Sequence, residues 1–240
     1  MTSLLAIDTS SAWCSVALSL NNAAPLVRHQ KVSAGASQLL LPWVQELLSE
    51  ASIELSSLDA IAIGNGPGAF TGVRLGVATA QGLAIAAKLP VLPVSSLDAI
   101  ASQLVQTPAF ITSKAQSFVI AVDARMGEVY WANYHVSPNS FPRRSGDIHL
   151  TPPEGIELSK VEFIAGSAIA EFGDRVFASL SSPMPHTHCD SDIGVNALGV
   201  LACAQEMWRM GLQQDVHLLE PLYVRNKVAF TALERSQNHG

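Results

Sequence analysis

A strand that ends in an acidic turn and doubles back as a second strand occurs twice in this chain. Ala6-Ile7-Asp8-Thr9 heads the first copy and Ala121-Val122-Asp123-Ala124 heads the second, about 115 residues later. A return strand follows each, Cys14-Ser15-Val16-Ala17-Leu18 in the first half and residues 129–134 in the second. Ile61-Ala62-Ile63-Gly64 has a weaker echo in Phe163-Ile164-Ala165-Gly166. Self-similarity over this length predicts a duplicated α/β domain, because solenoid repeats are much shorter. Each half then reads hairpin, helix, strand, glycine, helix. A boundary near Thr107-Pro108 divides the chain into residues 1–107 and 108–240.

Within the first half the pattern predicts a third strand over residues 24–30, a helix over 37–51, a strand over 60–63, a long helix over 71–88 and a strand over 91–94. Ser95 with Asp98 three positions on predicts a capping box at the start of the next helix. Residues 136–153 and 181–192 are rich in Ser, Pro and His without periodicity and read as surface loops. Residues 218–229 are expected to fold back onto the first half.

Two helices carry more apolar surface than one core needs. In residues 37–51, Leu40, Val44, Leu47 and Leu48 form a core stripe, which leaves Leu39, Leu41 and Trp43 for a second burial partner. Pro42 predicts a bend or a late start there. Along residues 71–88, Gly72, Gly76, Ala80 and Ala84 recur every fourth position and so lie in one line. Such a line lets another helix approach closely, either in this chain or in a partner. The expected partner-binding residues are therefore Leu39, Leu41, Trp43, Gly72, Gly76, Ala80 and Ala84.

Composition agrees with a covered surface. The 240 residues are 48% hydrophobic and only 14% charged, with a mean hydropathy of +0.27. The net charge of −6 opposes direct binding to nucleic acid, which needs a basic face to displace counterions. Cys14, Cys189 and Cys203 are odd in number and at no metal-like spacing, so they read as small apolar residues in a reducing compartment. The N-terminus lacks a basic segment before its short apolar run, and no uninterrupted run reaches the ~18–20 residues of a membrane span, so the expected location is cytoplasmic.

The glycine-rich segment from Gly64 to Arg74 joins a strand to a helix. It is neither of the standard nucleotide loops, and two readings stay open. It is a tight turn, or it is an anion site with Asp8, Gly66, Gly68, Thr71, Gly72 and Arg74 around a nucleotide. Asp8 and Asp123 either cap their own turns or hold a metal-bound phosphate. His186-Thr187-His188-Cys189-Asp190 is rich in ligand atoms but lacks a defining metal pattern. No hydrolase signature occurs, and no catalytic residue, metal or cofactor is expected.

Four segments occur in order that together resemble the bacterial TsaB family, also called YeaZ. They are Ala6-Ile7-Asp8-Thr9-Ser10, Gly66-Pro67-Gly68-Ala69-Phe70-Thr71-Gly72-Val73-Arg74, Asp123-Ala124-Arg125-Met126-Gly127-Glu128-Val129-Tyr130 and Pro221-Leu222-Tyr223-Val224-Arg225. The resemblance implies an actin/hexokinase-like (ASKHA) fold of two duplicated lobes, each a mixed sheet flanked by helices. It also implies a non-catalytic subunit in threonylcarbamoylation of the tRNA adenosine beside the anticodon. That subunit pairs with the catalytic paralogue TsaD, works through that pair with the ATPase TsaE, forms a homodimer when alone and meets tRNA only indirectly. The paralogue carries a metal-binding His-x-x-x-His on its first long helix, whereas residues 33–48 here hold no histidine. Members often have His where this chain has Ala36. The rival reading is an ATP-dependent phosphotransferase of the same fold class.

Overall fold

A computed structural model describes residues 2–21, 23–32, 35–138 and 140–225. The first sheet contains β1 (Ser3–Asp8), β2 (Trp13–Leu20), β3 (Leu26–Lys31), β4 (Ala60–Gly66) and β5 (Val91–Ser95), in the order β3-β2-β1-β4-β5. The second contains β6 (Ser117–Arg125), β7 (Glu128–His135), β8 (Arg143–Thr151), β9 (Phe163–Ala165) and β10 (Cys189–Asp190), in the order β10-β9-β6-β7-β8. Read from the opposite edge, the second order matches the first strand for strand. In both, two antiparallel pairs are followed by parallel ones. The duplication read from Asp8 and Asp123 is therefore a duplication of sheet topology.

The helices are α1 (Ala36–Glu50), α2 (Phe70–Ala87), α3 (Ser96–Leu104), α4 (Pro108–Ser113), α5 (Ala168–Phe172) and α6 (Ala197–Arg209). Both faces of the first sheet are covered, and the pleat sorts its side chains. Leu5, Ile7, Val16, Ile61 and Ile63 point to α1 and α2, while Leu4, Ala6, Ala17, Ala60 and Ala62 point to the centre of the molecule. The central layer is α3 and α6. Helix α6 lies on β1, β2, β4 and β5 although it belongs to the second half of the chain, and α3 touches β6 and β7. Phe118, Ile120, Tyr134 and Phe163 of the second sheet join the same core, with Phe110 of α4 set edge-on against Phe118 at 5.0 Å.

The close helix–helix contact of this fold is between α3 and α6. A β-carbon on Gly199 would strike the Ala99 carbonyl and the Gln103 side chain, so only glycine permits the approach. The Ser102 hydroxyl donates across it to the Gly199 carbonyl at 3.1 Å.

Several expectations need correction. Residues 143–151, expected within a loop, form β8, whose polar residues suit an edge strand with an exposed face. The second half has no α-helix between its hairpin and β9 among the described residues, only a 3-10 turn at Pro153–Gly155, and α5 is a five-residue remnant where α2 has eighteen. The capping box is absent. The Ser95 side chain caps nothing, and Asp98 instead accepts a hydrogen bond from the Tyr134 hydroxyl at 2.6 Å and pairs with Arg144 at 3.5 Å. Helix α1 runs through Pro42 without a break. Helix α2 is long and apolar enough to cross a membrane by length and composition, but Val73, Val77 and Ala84 hold it on the first sheet.

Candidate functional site

The two acidic turns meet at a cleft of about 840 Å³ between the sheets, walled by Ser10 and Gly68 from one half, Asp123 and Ser167 from the other, and Tyr223 with Arg225 from the C-terminal segment. Each carboxylate first serves its own turn. Asp8 accepts the Ser10 backbone N–H at 3.1 Å and the Ser10 hydroxyl at 2.9 Å. Asp123 accepts the Arg125 N–H at 2.8 Å and pairs with the Arg125 guanidinium at 3.1 Å. Asp8 is fully buried, and desolvation pushes its carboxyl up to about 7 against the pull of the Ser10 hydrogen bonds.

The glycine loop receives this turn rather than facing an open anion pocket. β-carbons on Gly68 and Gly72 would overlap the carbonyls of Ser10 and Thr9. The Ala69 N–H donates to Ser10 O at 2.7 Å, and the Thr9 hydroxyl donates to Gly72 O at 2.7 Å. Of the six residues expected around a nucleotide, only Gly68 lines the cleft. Asp8 lies beneath it, Gly66 lies against Val73 and the Leu222 carbonyl, and Thr71 is exposed outside it. Arg74 stacks on Phe70 at 3.8 Å and donates to the Tyr223 hydroxyl at 2.8 Å. The tight-turn reading accounts for the glycines, because the β1–β2 turn fills the space their missing side chains leave.

Most of the residues expected to meet a partner are not exposed. Gly76, Ala80 and Ala84 are buried in their own chain, and Gly76 lies so close to β1 and β4 that a β-carbon there would be 2.7 Å from the Thr9 hydroxyl and 3.0 Å from Ile63. Trp43 belongs to the core with Leu40 and Leu47, and Leu39 packs against it. Only Leu41 of the seven has an exposed side chain, at 53%. A neighbouring stripe of α2 faces outward instead: Ala78, Gly82, Ile85 and Ala86. Ile85 is 55% exposed, and nothing lies within 4 Å of where a Gly82 β-carbon would be. Small residues lie on both the inward and the outward line of the helix, so sequence spacing marked one small line where the fold has two.

The C-terminal segment supplies contacts that sequence reasoning did not assign to a site. Asn65 donates to Glu220 O at 3.2 Å and accepts from Leu222 N at 2.8 Å, and Gln81 donates to Leu219 O at 2.8 Å. Arg225 then reaches the other half, donating to Glu128 at 2.6 Å, Ala124 O at 3.2 Å and Arg125 O at 3.3 Å. Residues 219–225 thus strap one lobe to the other, as the expected fold-back required; residues 226–229 of that expectation lie outside the described residues.

Other candidate groups have structural duties. His188 Nδ1 pairs with Glu162 O at 2.7 Å, and Asp190 accepts the backbone N–H groups of Asp192 and Ile193, each at 3.0 Å. Burial pushes the Cys14 thiol up to about 11 and the Cys203 thiol to about 12, so neither is a ready nucleophile. No group of three His, Cys, Asp or Glu side chains converges on a metal position among the described residues.

The family model for TsaD, tRNA N6-adenosine threonylcarbamoyltransferase, matches residues 30–206. The tRNA threonylcarbamoyladenosine biosynthesis protein TsaB of Escherichia coli is 34% identical over 96% of this chain and 97% of its own length. The structure of YeaZ from Pseudomonas aeruginosa is 36% identical, with a TM-score of 0.79, over 93% of this chain and all of that one. A second Pseudomonas aeruginosa structure, of a protein described as similar to peptidase YeaZ, is 34% identical over 94% of this chain and all of that one, with a TM-score of 0.81. The fold is the actin/hexokinase-like one, two duplicated lobes with a mixed sheet each. With 34% identity to TsaB over nearly the full length of both chains, and the Asp8 turn, glycine loop and strap assembled around one cleft, this chain belongs to the TsaB (YeaZ) family of tRNA threonylcarbamoyladenosine biosynthesis proteins.

Proposed function

We infer that this chain is a non-catalytic cytoplasmic subunit of the assembly that threonylcarbamoylates tRNA, and that it acts by docking the catalytic paralogue TsaD, and through it the ATPase TsaE. The observation that carries this reading is the outward stripe of α2. Ala78, Gly82 and Ala86 are small enough for close approach by another helix, and Ile85 with Leu41 of α1 supplies apolar area that water would otherwise cover. Both are about half exposed, so covering the remainder of the two is worth roughly 1.5–3 kcal/mol before the cost of association. The same face suits a second copy of the chain when the paralogue is missing, which makes homodimer and heterodimer competing states.

Absence of catalysis in this chain rests on how its residues are used. Asp8 sits under the β1–β2 turn, Asp123 is held by Arg125, and the glycines are consumed in packing. A phosphotransferase needs a carboxylate or a helix terminus free to meet a metal-bound phosphate. The test is co-purification with the paralogue followed by tRNA modification. Ile85→Glu should abolish co-elution and modification while leaving the fold intact. Retention of both would overturn the docking face, and micromolar Mg-ATP binding by the chain alone in calorimetry would favour the phosphotransferase instead.

A further inference from the structure

A second concavity lies away from the cleft and from the α1–α2 face, between α4, α6 and the start of β8. Its floor is apolar: Val105 at the end of α3, Phe110 of α4, Val136 after β7 and Phe141 before β8. Phe110 is anchored in the core at 4% exposure, while Ile111 stands on the rim at 60%. Three cations border it on three elements: Lys114 at the end of α4, Arg143 at the start of β8 and Arg209 at the end of α6. Among the described residues that line it, Glu206 is the one carboxylate. Arg143 and Arg209 share Glu206, at 3.0 and 3.1 Å, and remain 61% and 69% exposed.

This local balance runs against the chain, whose net charge is −6. An exposed pair that shares one carboxylate is weakly held, since surface ion pairs contribute only about 0–1 kcal/mol, and either guanidinium can turn to an incoming carboxylate. The apolar floor needs an occupant with apolar side chains, and the rim needs one with negative charge. A nucleic acid satisfies the rim alone and is repelled by the rest of the surface. We propose that this groove is a docking site for an acidic, apolar-anchored segment of a partner protein, its Leu- or Phe-type side chains on the Val105–Phe141 floor and its carboxylates on Arg143, Arg209 and Lys114. The site shares no element with the α1–α2 face, so a protein can occupy it while the paralogue is bound there.

The test uses the full chain and fluorescence anisotropy with a labelled peptide of Leu, Phe, Glu and Asp, its counterpart with Lys replacing the acids, and unfractionated tRNA. The acidic peptide should bind, and raising the salt should weaken it. Arg143→Glu combined with Arg209→Glu should weaken it by about tenfold or more, and Ile111→Ser by about threefold. These substitutions are on exposed side chains, and an unchanged melting temperature separates lost binding from lost fold. Equal binding of the basic peptide, or an unaffected double variant, overturns the proposal. Preferential binding of tRNA that the same double variant abolishes overturns it too, in favour of a nucleic-acid surface.

Discussion

The carboxylate of Asp8 occupies the space that a β-carbon on Gly64 would need. The two residues lie side by side where β1 and β4 run parallel, and Oδ2 rests against the bare glycine. The acidic turn and the glycine loop are therefore one packed unit, which the sequence presents as two motifs more than fifty residues apart. Gly64→Ala should cost about 2–4 kcal/mol, because a fully buried carboxylate must move or lose its Ser10 hydrogen bonds. Denaturant unfolding measures it, and combining the change with Asp8→Ala should recover part of the loss. A cost under about half a kcal/mol, within the range of an ordinary surface change, would show that the contact is not tight.

The buried carboxyl also links stability to pH. Asp8 holds its proton to about 7 in the folded chain against an ordinary 3.8. The folded state thus retains a proton that the unfolded state releases, so this contribution is full below the unfolded value and is lost as pH rises through the folded one. Asp8→Asn mimics the protonated form and should flatten the fall in stability between those two values, a difference on the order of 2–4 kcal/mol. Parallel stability–pH curves for the two proteins would count against it.

Two glycines on α2 should respond in opposite ways to one substitution. Gly76→Leu drives a side chain into Thr9 and Ile63 and should lower the yield of folded protein, with a penalty of about 3 kcal/mol or more. Gly82→Leu meets open space and should leave stability within about 1 kcal/mol, since a better helix former replaces glycine. Its effect falls on docking: co-elution with the paralogue should drop by at least about tenfold. Thermal melts and size-exclusion chromatography of both variants read the contrast, and it fails if Gly82→Leu unfolds the chain or Gly76→Leu does not.

The strap supplies a fourth expectation. Arg225→Ala deletes the donors to Glu128 and to the carbonyls of Ala124 and Arg125, which should cost about 1–3 kcal/mol. Hydrogen exchange should quicken in the turn that follows β6 and at Leu222, whose N–H donates to the Asn65 carbonyl of the first half. Arg225→Lys should recover part of the loss, because all three acceptors are served by one nitrogen, Nη2, and an ammonium carries three donors on one nitrogen. Unchanged exchange at Leu222 would mean that the two ends of the strap are independent.

The duplicated acidic hairpins, the strand–glycine–helix joins and the resemblance at Asp8, Gly66–Gly72 and Asp123 were legible because each rests on local pattern, and the matched sheet orders follow from them. Strand β8 was not, since an exposed edge strand such as Arg143–Thr151 lacks the apolar alternation that marks a half-buried one. Which side of α2 faces outward was not legible, because Gly76, Ala80 and Ala84 turn inward and Ala78, Gly82 and Ile85 outward, and both lines consist mostly of small residues.

Sequence alone determined the duplication, the glycine positions, the absence of a histidine pair on α1 and the excess of apolar helical surface. These depend on residue type and short-range spacing, which the chain carries in one dimension. Tertiary structure alone decided that the Asp8 turn fills the glycine loop, that α6 crosses to the first sheet, and that Arg225 ties the lobes together across the cleft. Each of those is a contact between residues far apart in the chain, where burial and steric exclusion select one among several equally apolar faces, and no periodicity records that choice.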